Sequence, residues 1–195
     1  MVEISVALPL FRAKYIAWLA LESLCRQKGV TFEWELLISE EQNNELFGKK
    51  EIFEYKKRLE GIKCVSIKYK PLKKKIPLST KWNLLFNMSD EHSRAIIIQA
   101  ADVFSYPNRL EYTWKAFKEN KNLDWYRENK GIFYDISSGE MALWNYEKQS
   151  KRSSSSPCGM WFAINRNKSI GIKDSKLNKR VDGWLWKSIS PQKIP

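Results

Sequence analysis

The apolar positions of this chain change period repeatedly along its first half. Ile4–Pro9 is a short, nearly continuous apolar run, the pattern of a strand buried on both faces. Tyr15, Ile16, Leu19, Leu21, Leu24 and Cys25 then recur at three- and four-residue steps. That spacing predicts a helix over 13–27, closed by Gly29. Phe32–Ser39 alternates at first and then becomes continuously apolar, predicting a second strand. Strand, helix and strand at this length form a βαβ unit with a right-handed crossover. Residues 40–60 are polar and helix-like, and Cys64–Tyr69 predicts a third strand. A basic loop, Lys70–Pro77, leads to a helix over Ser79–Met88 with Ser79 as its N-cap. A central strand follows at 95–100 and a helix at 108–119. From 121 to 158 the regularity fades into aromatic and polar residues, ending in Lys151–Pro157, a run with the composition of a mobile loop. Gly159–Ile164 resumes as a strand, and Val181–Ser188 reads as a short helix. With no internal repeat and no linker, the pattern predicts one α/β domain over 1–195: a mostly parallel sheet flanked by helices. The carboxyl ends of such strands line a ligand crevice.

Composition narrows the partners. The 195 residues suit one medium domain with a sizeable core. A net charge of +12 exceeds what solubility needs and implies a polyanionic or acidic partner: nucleic acid, an anionic membrane surface or a phosphate-bearing substrate. The nine Trp suit stacking on sugars and bases. Cys25, Cys64 and Cys158 are odd in number and far apart, with neither metal spacing nor a disulfide framework, so they read as reduced thiols. No apolar run approaches the ~20 residues of a membrane span, and no leader precedes the first strand. The chain therefore reads as soluble and cytoplasmic, with peripheral membrane contact left open. His92, the only histidine, reads as a solvated loop residue.

Four segments fall at the predicted crevice: Pro9-Leu-Phe-Arg12, Ile38-Ser39-Glu40-Glu41, Ile76-Pro-Leu-Ser79-Thr-Lys81-Trp-Asn83, and Ile98-Gln-Ala-Ala-Asp102-Val-Phe-Ser-Tyr-Pro107. Each alone has a plainer reading. Arg12 fits a surface residue at a helix start, and Glu40 and Glu41 fit acids at a helix N-terminus. Asp102 fits a cap on the turn before Pro107. A helix beginning near Ser79 attracts phosphate by its backbone alone. Further on lie Pro157-Cys-Gly159-Met-Trp161-Phe-Ala-Ile and Arg180-Val-Asp182-Gly-Trp184-Leu-Trp186. Taken in this order, the segments resemble those of family 2 glycosyltransferases with the GT-A fold, over about residues 3–120 and, more loosely, 157–188.

The resemblance implies a GT-A-type, Rossmann-like sheet with a nucleotide-sugar-binding half, 1–120, and an acceptor-side half, 121–195. It implies that Pro9 and Arg12 border the nucleotide, with Arg12 forking onto the diphosphate. Glu40 or Glu41 would receive the nucleoside, Glu40 being the residue assigned, and Lys81 and Asn83 match the donor-facing helix. Asp102 would hold Mn²⁺ or Mg²⁺. Ala100 stands at the family's first Asp position, so substrate oxygens and water would complete the shell. Gly159, Trp161 and Trp184 would border the acceptor. Asp182, with Val181 in the family's Glu position, would be the general base. The implied reaction is transfer of a sugar from a nucleotide-diphosphate sugar, a UDP-sugar foremost, to a hydroxyl with inversion. The charge favours a polyanionic acceptor, in its sharpest form DNA carrying hydroxymethylated pyrimidines, as phage-type enzymes use, with the base extruded from the stack. Two readings compete: a transferase of surface-polysaccharide or lipopolysaccharide assembly, and a non-catalytic nucleic-acid-binding protein on a decayed transferase fold.

Overall fold

In a computed structural model of the chain, residues 1–128, 130–135, 137–145 and 162–168 are described. Four parallel strands form the body of the sheet: β1 (Val2–Leu10), β2 (Glu33–Glu41), β3 (Cys64–Leu72) and β4 (Ala95–Ile98). The order is β3-β2-β1-β4-β8-β5, where β5 is Trp125–Arg127 and β8 is Phe162–Asn165. β8 runs antiparallel to both β4 and β5, so β5 is again parallel to β4 and ends at the same edge. This is the mostly parallel, helix-flanked α/β sheet that the hydrophobic pattern predicts.

Strand alternation feeds two cores. Ile4, Val6, Leu8 and Leu10 of β1 and Trp34, Leu36 and Ile38 of β2 face α1 (Ala17–Cys25) and α5 (Arg109–Glu119). Their neighbours Ala7, Leu37, Ile96 and Ile98 face α4 (Leu78–Met88), which buries Trp82, Leu85 and Phe86 against them. A sheet covered on both faces needs strands that are apolar throughout, which is why β1 and β4 read as continuous runs. Two short helices, α2 (Lys49–Glu54) and α3 (Lys56–Glu60), fill the polar stretch between β2 and β3.

Several boundaries differ from the pattern. α1 starts at Ala17, because residues 13–16 form tight turns with Ile16 and Ala17 N–H both donating to Ala13 C=O. Gly29 does not close that helix, which ends at Cys25. The glycine sits at φ +70 in the following turn. α4 has Pro77 as its N-cap, and Ser79 lies inside its first turn with its hydroxyl buried and without a hydrogen bond. β3 extends to Leu72 because β2 offers it a partner as far as Glu41. The stretch from 121 also holds regular structure: β5 and a separate hairpin of β6 (Lys130–Tyr134) and β7 (Met141–Asn145). The Lys151–Pro157 loop and the Val181–Ser188 helix lie outside the described residues. Among the described residues no helix is long and apolar enough to cross a membrane. Cys25 and Cys64 are free, and burial pushes their thiols up to about 11 and about 12, which leaves them unreactive at neutral pH.

Candidate functional site

The first site element is the turn where β1 gives way to α1. Arg12 there has φ 51, in the left-handed region that non-glycine residues seldom occupy outside special turns. The turn releases Phe11 from the sheet, leaving its ring 43% exposed beyond the buried Leu10. Three cations surround that ring: Lys81 Nζ at 5.0 Å from its centroid, Lys75 Nζ at 5.1 Å and the Arg12 guanidinium at 5.4 Å. Cations near a ring face gain from its quadrupole. Arg12 also pairs with Glu45 at 3.4 Å and Lys81 with Glu41 at 2.6 Å, so the accessible ring lies among cations that are in part already balanced by carboxylates.

The second element is the end of β2, where alternation sends Glu40 and Glu41 to opposite faces. Glu40 faces α2. Its Oε1 accepts from Phe47 N–H at 2.6 Å, and its Oε2 accepts from Gly48 N–H at 3.0 Å and from the Tyr69 hydroxyl at 2.9 Å. Three donors thus commit this carboxylate to holding the loop that precedes α2. Burial, reinforced by the neighbouring carboxylate, pushes the Tyr69 hydroxyl above its ordinary range. Glu41 faces α4 and Phe11. Its Oε1 accepts from Lys81 Nζ at 2.6 Å and from Ile76 N–H at 3.1 Å. Both side chains of the pair are almost wholly buried, 5% and 3% exposed. The pair fastens α4 and the basic loop before it to the end of β2.

The third element is the turn after β4, the strand next to β1 in the sheet. Gln99 N–H still donates to Ala7 C=O at 2.9 Å, and then the chain leaves the sheet and Asp102 stands exposed at the turn. Its carboxylate has no hydrogen bond or ion pair among the described residues, and nowhere among them do three His, Cys, Asp or Glu residues gather as metal ligands. A single free carboxylate does not make a protein cage. It does fit Mg²⁺ or Mn²⁺ that draws its remaining ligands from phosphate oxygens and water. A further acid, Glu128, follows the end of β5 at the same sheet edge. Its Oε1 is buried without a hydrogen bond, and burial holds its carboxyl above the usual range.

Of the residues singled out from the sequence, Arg12 and Lys81 come together around Phe11, and Asp102 lies at the end of the adjacent strand. Pro9 is half-buried in β1 beside Ser39, and Asn83 is half-buried two residues beyond Lys81. Glu40 is placed on the face away from Phe11. Asp182, Gly159, Trp161 and Trp184 lie outside the described residues. Glu41 was offered from the sequence as the alternative to Glu40, whereas Phe11 and Lys75 were given no donor role there, although each sits inside or beside a segment singled out. Their signal was adjacency: an aromatic residue directly after a buried strand, next to a basic residue.

No protein-family model matches the chain, and no curated protein sequence does. Solved structures do match in fold. Staphylococcus aureus TarS 1–349 in complex with UDP aligns with a TM-score of 0.68 at 11% identity, covering 97% of this chain and 56% of that one. The same protein in complex with UDP-GlcNAc aligns at 0.65 and 10% identity, covering 97% and 54%. A further TarS structure aligns at 0.66 and 10% identity, covering 97% and 34%. The chain thus spans from about a third to just over half the length of these structures, and at such identity the likeness establishes the fold, a GT-A-type Rossmann-like sheet.

Proposed function

We propose that this chain is a glycosyltransferase that uses a nucleotide-diphosphate sugar, with UDP-sugars as the first donors to test. The observation that carries the reading is the exposed Phe11 ring set among Arg12, Lys75 and Lys81 at the carboxyl edge of the sheet. A nucleoside diphosphate offers both a flat base for the ring and anionic oxygens for the cations. The shared fold adds support, since TarS structures carry UDP and UDP-GlcNAc at a comparable architecture.

On this reading Phe11 stacks the base, and the buried Glu41 anchors Lys81 and the basic loop beside it. Glu40 acts indirectly, by holding the loop after β2. Pro9 and Asn83 line the donor side. Arg12 and Lys75 meet the diphosphate, and Lys81 lends its charge from beneath while paired to Glu41. Asp102 would hold the divalent cation, Mn²⁺ or Mg²⁺, which when bound offsets charge on the departing diphosphate. Asp182 accepts the proton of the acceptor hydroxyl. That oxygen bonds to the anomeric carbon from the face opposite the phosphate, and the carbon–oxygen bond to the diphosphate breaks with its electron pair leaving on the nucleotide. The configuration inverts. Gly159, Trp161 and Trp184 border the acceptor. The net charge of +12 supports a polyanionic acceptor, and DNA carrying hydroxymethylated pyrimidines is its sharpest form.

Release of UDP from UDP-GlcNAc with Mn²⁺, with and without hydroxymethylated DNA as the acceptor, tests the proposal. Turnover is expected to disappear in Asp102→Ala. It is expected to fall by about 10²–10⁴-fold in Asp182→Asn, the usual contribution of a general base. DNA retention that weakens steeply with salt supports the DNA acceptor. Turnover without such retention favours a glycan acceptor of surface-polysaccharide assembly. DNA binding with no turnover of any nucleotide sugar would replace the enzyme with the non-catalytic binding protein.

A further inference from the structure

Arg109, the first residue of α5, is 2% exposed and makes no ion pair among the described residues. Burying a guanidinium is costly unless its donors find acceptors. All of the acceptors it finds belong to one short segment. Nη1 donates to Gln99 Oε1 at 2.8 Å and to Ser105 Oγ at 2.9 Å, and Nη2 donates to Ile98 C=O at 2.7 Å. Gln99, itself fully buried, extends the network. Its Nε2 donates to Ala100 C=O at 3.0 Å and Val103 C=O at 2.7 Å, and its Oε1 also accepts from the Ser105 hydroxyl at 2.6 Å. The segment is thereby fastened on both sides of Asp102, which projects into solvent, as does Phe104 two residues on.

The charge of Arg109 is kept rather than neutralised. Burial lowers the guanidinium to about 10, still protonated at neutral pH, and the Glu128 carboxylate acts on it from the end of β5 with the opposite sign. An apolar side chain could fill the same volume without the desolvation cost, but it could not hold three oxygens of the 98–105 turn. What the arginine adds is the shape of that turn. A cation site with one protein carboxylate has no second ligand to correct a misplaced one, so the rigidity of its turn matters more than in a site with several.

We propose that Arg109, acting through Gln99 and Ser105, is a positioning residue that sets the Asp102 carboxylate for a divalent cation bridged by a nucleoside diphosphate. The proposal rests on the nucleotide reading above.

Calorimetry of the whole chain with UDP, in the presence and absence of Mn²⁺, tests it. The variants are Arg109→Lys, which keeps charge but loses the fork, Ser105→Ala, which deletes one anchor at little cost in volume, and each combined with Asp102→Asn. The wild-type chain binds UDP more tightly with Mn²⁺. Arg109→Lys is expected to cut Mn²⁺ affinity in the UDP complex by about 10–100-fold, the usual effect of losing an outer-shell partner. Ser105→Ala moves it in the same direction by less and carries the test if the lysine variant does not fold. Neither changes UDP affinity without metal, and neither adds to the loss in the Asp102→Asn background. Equal losses with and without Mn²⁺, or losses that add to those of Asp102→Asn, would overturn the positioning role while leaving nucleotide binding intact. Absence of Mn²⁺-dependent UDP binding in the folded wild-type chain would overturn both.

Discussion

Glu41 and Lys81 meet at 2.6 Å in a nearly dry setting, and removing either alone leaves a charge stranded. Lys81→Met is therefore expected to destabilise the fold by about 3–5 kcal/mol, measured by urea unfolding. Combined with Glu41→Leu, most of that loss is expected to return, because an apolar pair needs no partner in the interior. UDP affinity is not expected to return with it, since the double variant lacks the Lys81 charge beside Phe11. Glu128 gives a second test. Burial raises its carboxyl, so its contribution to stability is full below the ordinary Glu range and is lost as pH rises through the raised value. Glu128→Gln should therefore gain stability over wild type as pH rises above the ordinary Glu range; a difference that is flat with pH would contradict the assignment. Arg12, Lys81 and Asp102 were legible in the sequence as members of an ordered series. Which face Glu40 and Glu41 each take was not, because a one-residue change of register exchanges the faces of a strand. Phe11 was hidden for a related reason. An aromatic residue at a strand end reads as core, and only the left-handed turn at Arg12 turns it outward.

The elements came through where one period dominates. β4 is apolar on both faces, β1 and β2 hold continuous apolar stretches, and α4 and α5 have three- and four-residue steps. β5 has only three residues, too few to show a period although Trp125 joins the α4-side core, and among the described residues β6 and β7 pair only with each other. Aromatic residues within them were consequently read as irregular. Gly29 shows how a turn residue can be recognised without its geometry. It was expected to end a helix, but it serves at φ +70 in the turn before β2, and an added Cβ would lie 2.3 Å from Glu111 Oε2. Gly29→Ala is expected to cost roughly 1–2 kcal/mol from the left-handed backbone, with Glu111 able to swing aside. The shift in urea midpoint measures it, and UDP affinity should be unchanged because the turn is at the opposite side of α1 from Phe11.

At the scale of the whole molecule, the sheet order brings the ends of β1, β2 and β4 to one edge, where Arg12, Glu41, Lys81 and Asp102 lie. That gathering follows from topology: parallel strands deliver their exits to one side, and the reversal of strand order at β1 and β4 opens the crevice. The excess of positive charge, legible from composition alone, reinforces this edge through Arg12, Lys75 and Lys81. Titration of UDP into the chain, with and without Mn²⁺, tests the nucleotide-sugar reading. The wild-type chain is expected to bind UDP, more tightly with Mn²⁺. Phe11→Ala is predicted to weaken both affinities by about tenfold or more, the scale of one lost base stack, without shifting the melting temperature. A folded wild-type chain that binds no UDP under either condition would contradict it.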